Sequence, residues 1–211
     1  MGIEDLVAHP HVWRGRNDGC TDALPTQFDA LDRFLPGGGW PLKAVTEILL
    51  DRYGIGELSL LMPALARLSR DKSARAKRWI AWIAPPFVPY APALLRYGID
   101  LDRVLMVHPT SSSKDVLWAV EQVLRSGSSI AVLAWVGDVS IPVLRRFQLA
   151  AEANDTWVVL FRPLQALQES SPAALRLRLS RHRDAARVEI LKCRGRRPAV
   201  IDLVPSAGGR E

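Results

Sequence analysis

The sequence predicts an α/β fold, a mostly parallel central sheet flanked by helices and carrying a C-terminal β-hairpin. Three observations predict it. Strand-like and helix-like stretches alternate for over a hundred residues from Val45 onward, the pattern that repeated βαβ units leave in a chain. Ile130 to Val136 is a near-continuous apolar run, as expected of a strand covered on both faces. Ala174 to Leu179 and Ala186 to Lys192 alternate apolar and polar residues instead, the period of paired strands with one wet face.

The elements follow in order. Residues 1–25 are polar and punctuated by Pro10, Gly15, Gly19 and Pro25, which reads as an N-terminal arm. Thr26 or Asp29 is placed to cap a short helix carrying Phe28, Leu31, Phe34 and Leu35, ended by Pro36. Gly37-Gly38-Gly39 makes a turn, and Val45 to Leu50 is a compact apolar strand. Gly54-Ile55-Gly56 turns the chain into a helix with Leu58, Leu61, Leu65 and Leu68 at helical spacing. Pro63 inside that pattern predicts a kink or a late start. A charged stretch, Arg67 to Arg78, leads into a strand, Trp79 to Ala84. Pro85, Pro86, Pro89 and Pro92 then exclude both helix interior and central strand. Val104 to Val107 is a short strand. Ser113 is the expected N-cap of a helix to Ser126 with Val116, Leu117, Val120, Val123 and Leu124 as its stripe. A helix from Ile141 to Ala153 precedes the strand Thr156 to Phe161 and the hairpin. Residues 199–211 read as a flexible tail.

The 211 residues suit one domain, and 48% apolar with 24% charged residues excludes a wholly disordered chain. No apolar run approaches the ~20 residues that span a bilayer. Glu4 and Asp5 stand where a signal peptide would be basic. Cys20 and Cys193 lie too far apart in sequence for a CxxC site. A cytoplasmic protein without membrane partners is expected. The formal charge is +6, and it is concentrated. Arg176, Arg178, Arg181, Arg183, Arg187, Lys192, Arg194, Arg196 and Arg197 face only Asp184 and Glu189 in their stretch, leaving the other 189 residues at −1. Such a stretch attracts nucleic acid or an acidic partner face; a solvated strand face that guards an edge is the alternative.

Several phrases resemble known sequences. TQFDALDRFLPGGGWPLKAVTEILL (residues 26–50) is similar to the entry into a RecA-type ATPase core. RWIAWIAPPFVPYAPALLRYGIDLDRVLMVHP (78–109) has the cadence of the next RecA strand, helix and strand. Within that superfamily the chain resembles the ImuA family of RecA- and SulA-like proteins. The carrying phrases are VWRGR, LPGGGWP, GIGELSLLMPALARLS, WIAPPFVPYAPAL, VLAW and SPAALRLRL. The resemblance covers about residues 10–198. It implies a RecA-like domain over 26–198 that serves as a non-catalytic adaptor in SOS-induced translesion synthesis. The implied partners are an ImuB-type Y-family polymerase homologue, RecA, an error-prone DnaE-type polymerase and single-stranded DNA. A second class of function shares this fold: a SulA-like SOS cell-division inhibitor that binds a tubulin-like division protein.

The ATPase machinery is missing from the sequence. A phosphate-binding loop needs G-x-x-x-x-G-K-[ST], whose amides cradle phosphates while the Lys neutralises them. The corresponding stretch runs from Asp51 through Gly54, Gly56 and Glu57 to Leu58 and Ser59. Only Gly56 fits; Asp51 holds the first glycine position, Glu57 the lysine position and Leu58 the metal-hydroxyl position. Pro86 stands where a RecA-type enzyme carries its water-activating glutamate, and Trp135 where it carries a metal-binding aspartate. Gly54 and Gly56 are expected to be structural, with Tyr53, Trp135 and Phe87 closing a vestigial site. No enzyme activity, cofactor or metal is expected. Asp138 and Glu47 read as turn and sheet-end carboxylates, and Ser111-x-x-Lys114 as helix capping.

Gly137 to Pro142 and Pro163 to Pro172 are short for RecA-type DNA loops, with Arg162 their one bordering cation. The C-terminal arginines are therefore the expected polyanion site. Trp40, Trp79, Trp82, Trp135 and Trp157 are expected in the core. Trp118 falls on the polar side of its helix and Trp13 in the arm, which makes both candidate partner contacts.

Overall fold

A computed structural model describes residues 22–71, 78–109, 112–182, 185–193, 195 and 197–203. A small ribbon comes first. β1 (Ala23–Leu24) pairs antiparallel with β2 (Trp40–Pro41), and α1 (Asp29–Asp32) lies between them. The main elements then alternate: β3 (Val45–Leu50), α2 (Glu57–Ser69), β4 (Trp79–Ile83), α3 (Ala91–Tyr97), β5 (Val104–Val107), α4 (Ser113–Ser126), β6 (Ser129–Trp135), α5 (Ile141–Ala153) and β7 (Trp157–Pro163). Three strands close the chain: β8 (Leu175–His182), β9 (Ala185–Cys193) and β10 (Ala199–Leu203).

The main sheet has the order β10-β9-β8-β3-β7-β6-β4-β5. All pairings from β8 to β5 are parallel, and β8-β9 and β9-β10 are antiparallel. The handedness of βαβ crossovers explains where the helices go. The chain steps outward from β3 to β4 to β5, and residues of α2 and α3 join one core with Ile48, Trp82 and Phe161. It then steps inward to β6 and β7, so right-handed crossovers must use the other face. Residues of α4 and α5 accordingly pack on Val45, Val132 and Leu160. β3, β6 and β7 are thus buried on both sides, which accounts for their unbroken apolar runs.

The predicted mixed α/β architecture and its hairpin are present, and several local expectations need correction. Residues 199–203 are not tail: Ile201 and Leu203 are buried against the apolar face of β9 while Val200 and Asp202 face out. Six residues between Pro198 and Pro205 are too few for the alternation to stand out. Leu24, placed in the arm, is buried in the main core. Neither Thr26 nor Asp29 caps α1; Phe28 holds the N-cap position without a side-chain bond. The Thr26 hydroxyl instead accepts the Phe28 amide at 3.0 Å, while the Thr26 amide donates to Asp32 at 2.9 Å. α2 runs through Pro63 without a break; the Ser59 carbonyl that loses its amide partner belongs to an exposed residue. Ser112, not Ser113, caps α4 by accepting the Asp115 amide. Trp79 starts β4 at the surface, 39% exposed, whereas Trp40, Trp82, Trp135 and Trp157 are buried.

One buried carboxylate ties the middle of the sheet together. Glu47 in β3 is fully buried and sits beside Arg176 of β8 in the register. Its two oxygens lie 2.8 Å from the Arg162 and Arg176 guanidiniums. Arg162 also meets Glu169 at 2.8 Å and donates to the Gly137 carbonyl. Arg176 donates to the Glu169 and Ala166 carbonyls at 2.9 and 2.8 Å. Burial opposes the Arg162 charge, but the bonds to Glu169 and Glu47 outweigh it and hold its pKa above the ordinary value. Breaking a buried pair from one side leaves uncompensated charge. Glu47→Ala is therefore expected to cost about 3–5 kcal/mol in urea denaturation, against under 1 kcal/mol for neutralising the exposed Glu121–Arg146 pair.

Candidate functional site

The loop between β3 and α2 is the place where this topology would receive a phosphate. It leaves the carboxyl end of a central parallel strand and enters the N-terminus of a 13-residue helix. Gly54 (φ +81°) and Gly56 (φ +106°) adopt left-handed conformations, and space is open where a Cβ would lie on either. Such turns gather successive amides into an anion-binding concavity.

The anion bound there is the chain's own. Glu57, the first residue of α2, is 5% exposed. Its carboxylate accepts the Gly54 amide at 2.8 Å and the Ile55 amide at 2.9 Å. An incoming triphosphate would have to expel this carboxylate and then sit beside it and Asp51, which is exposed on the same loop. Like charges at such a contact cost several kcal/mol (order of magnitude). The residues present do not fit a nucleotide with its magnesium. Glu57 is read from the sequence as a repelling charge; the structure adds that it is also the clamp of the loop. Its position, first in a helix just after Gly-x-Gly, was the available signal.

The neighbouring positions agree in part. Trp135 stacks on Phe161 at 4.6 Å and lies 5.9 Å from Trp82, so the position expected for a metal carboxylate is filled by core. Tyr53 is half-exposed; burial first, and the Glu57 charge second, push its phenol above the ordinary pKa of 10.0. Phe87 does not close the loop, being 68% exposed. Leu58 is half-buried, and Ser59 and Pro86 are exposed. A cleft of about 250 Å³ opens nearby at the ends of β4 and β6, lined by Ala84, Ser113, Leu117, Trp135 and Asp138 among others. Among the described residues no three His, Cys, Asp or Glu side chains gather in a metal-binding group.

The basic stretch is less of a surface than its composition suggests. Arg176 belongs to the buried Glu47 cluster, a correction to its place in an external patch; it points into the body because β3 offers it a carboxylate across the register. Arg178 pairs with Glu189 at 3.6 Å, and Arg187 grips Asp202 through two bonds of 2.7 and 2.9 Å. That hydrogen bond holds the Asp202 pKa below its ordinary 3.8, so the β9–β10 clamp is intact above that value and lost as pH falls through the lowered one. Lys192 donates to the Ser171 carbonyl. Arg181 and Arg197 are exposed. Arg183, Arg194, Arg196 and Trp13 lie outside the described residues. Trp118 is 65% exposed on α4, as its helical position predicts.

Two measurements test the clamp. Glu57→Ala strands two loop amides and is expected to cost about 2 kcal/mol in urea denaturation. Glu57→Gln should lower the Tyr53 ionisation only part of the way to 10.0, read as phenolate absorbance, since burial is the larger cause. The stability linked to that phenol is present below 10 and falls as pH rises through the elevated value.

No family model matches the chain. Among curated proteins it is similar to the cell division inhibitor SulA of Edwardsiella piscicida, 30% identical over 106 residues, which are 50% of this chain and 60% of that protein. The cell division inhibitor SulA of Photorhabdus laumondii is 29% identical over 117 residues, 56% of this chain and 63% of that protein. The chain thus spans about six tenths of the length of these relatives. The crystal structure of SulA from Pseudomonas aeruginosa aligns at 26% identity with a TM-score of 0.46, covering 56% of this chain and 97% of that one. No helix among the described residues is long and apolar enough to cross a membrane. Over about half its length, then, this chain is similar to SulA division inhibitors.

Proposed function

We propose that this chain is a non-catalytic, SulA-like protein of the SOS response that acts in the cytoplasm by docking on another protein, its partner being a tubulin-like division protein. The observation that carries the non-catalytic part is the Glu57 carboxylate on the Gly54 and Ile55 amides. A loop shaped for phosphate and filled by a side chain is a rigid corner of the fold, not an engine. The similarity to proteins named cell division inhibitors supports the partner. A RecA-type ancestry for the core accords with the glycine loop after β3 and with the face switch after β5.

A second reading has its own support. Nearly half of the chain lies outside the stretch matched to SulA relatives, since the longer of the two matches above covers 56% of it. The ImuA-like phrases extend from VWRGR to SPAALRLRL, across most of the chain. In that reading the body is an adaptor of translesion synthesis, binding an ImuB-type polymerase homologue, RecA and an error-prone DnaE-type polymerase. Single-stranded DNA would then meet Arg181, Arg183, Arg194, Arg196 and Arg197, since Arg176, Arg178 and Arg187 are engaged within the chain.

Overproduction in cells separates the two. Filamentous cells with an unchanged mutation frequency are the expected outcome of the division-inhibitor reading. Normal cell length with a raised frequency of damage-induced mutation would replace it with the adaptor.

A further inference from the structure

The crossovers leave a crevice at one end of the sheet. β4 and β6 pair side by side in parallel. From β4 the chain passes to α3, on the face that carries Trp82; from β6 it passes to α5, on the face that carries Val132. Neighbouring strands whose connections part to opposite faces form a topological switch point. Open α/β sheets take their ligands there, beyond the carboxyl ends of the strands. The cleft of about 250 Å³ lies at this point. One wall comes from the first turns of α4, through Ser113, Val116 and Leu117. The other comes from the strand ends, through Ala84, Trp135, Gly137 and Asp138.

The lining carries both polarities. α4 has 14 residues and brings the positive end of its dipole to the cleft. Ser112 accepts the amides of Asp115 and Val116, while those of Ser113 and Lys114 have no acceptor within the helix. A further donor comes from the sheet. Trp135 is 6% exposed, and its indole N–H is buried without an acceptor, which costs stability unless something accepts it. Trp40 and Trp82 bury unpaired indole N–H groups too, but of the three only Trp135 lines the cleft. These donors call for an anionic oxygen. Asp138 calls for a cation; it is exposed, and it is the one charged side chain among the described lining residues. Val116, Leu117 and Ala84 add apolar surface.

The backbone around the cleft is specialised. Ala84 holds a left-handed φ of +53° and donates its amide to the Val107 carbonyl. A non-glycine residue in that conformation is uncommon and is retained where surroundings enforce it. Gly137 is exposed, its φ is not left-handed, and space is open where a Cβ would lie. A side chain at 137 would therefore be carried without backbone strain and would take up room in the cleft.

We propose that this cleft binds a free α-amino acid with an apolar side chain. The carboxylate meets the start of α4 and the Trp135 indole, the ammonium meets Asp138, and the side chain lies on Val116 and Leu117. A molecule of this size suits a cleft smaller than the ~300–1,000 Å³ of drug-sized sites. The site is independent of which protein the chain docks on.

The probe is L-leucine, titrated into the full chain by calorimetry. Saturable binding with a Kd below about 1 mM is expected. N-acetyl-L-leucine lacks the ammonium and L-leucinamide lacks the carboxylate; each should bind at least about tenfold more weakly. Asp138→Asn should weaken leucine at least about tenfold and erase its advantage over the acetylated form. Gly137→Trp should abolish binding. Both positions are exposed, so the thermal melts without leucine should match that of the parent. In proton–nitrogen NMR spectra, the indole cross-peak that Trp135→Phe removes should move as leucine is added.

No saturable heat with leucine, equal binding of the three compounds, or undiminished binding by Gly137→Trp would overturn the proposal. So would leucine binding that leaves the Trp135 indole cross-peak in place.

Discussion

A carboxylate buried in the central strand has to be neutralised, and meeting that demand organises half of the sheet. Glu47 sits in β3 with both faces of the strand covered. Water cannot solvate it, so β7 and β8 each supply a guanidinium. Those two arginines carry donors beyond what one carboxylate can accept. The surplus reaches Glu169, Gly137 and Ala166, fixing the turns after β6 and β7. Replacing such a cluster by apolar residues can be neutral for stability. What the cluster secures is register: β8 must pair with β3 where Arg176 meets Glu47.

Glu57 solves a different problem with the same chemical group. The tight turn out of β3 leaves amides that nothing else in the loop can accept, and the carboxylate folds back onto two of them. In a nucleotide enzyme those amides are kept vacant for a ligand and a lysine stands alongside. Here the ligand is built in. The result is a stiff strand–helix corner beside a hydrophobic stack of Trp82, Trp135 and Phe161. A scaffold of this kind transmits little internal chemistry and offers its surfaces to partners.

Much of this was legible in the sequence where periodicity is strong. The ranges of β3, β5 and α5 follow from their apolar patterns, and the hairpin from strict alternation. Alternation also shows why Arg176 misleads. Its neighbours in sequence place it on the polar face of β8, and only the parallel pairing with a strand 129 positions earlier reveals that this face is covered there. β10 escaped because six residues between prolines hold too few repeats. The degenerate loop was readable as a loss, while the bonds that Glu57 gains depend on backbone geometry. The exposed aromatics of the Pro85–Tyr97 segment lay in plain view, but proline content alone says what a segment cannot form and not what it presents.

Everything in this fold's function turns on whether the loop after β3 is closed to nucleotides. Titration calorimetry of the full chain with Mg-ATP measures this directly. The expected result is no saturable heat up to millimolar nucleotide. Stoichiometric binding with micromolar affinity, abolished by a bulky residue at Gly56, would mean that the Glu57 carboxylate yields its place, and the non-catalytic reading would be wrong.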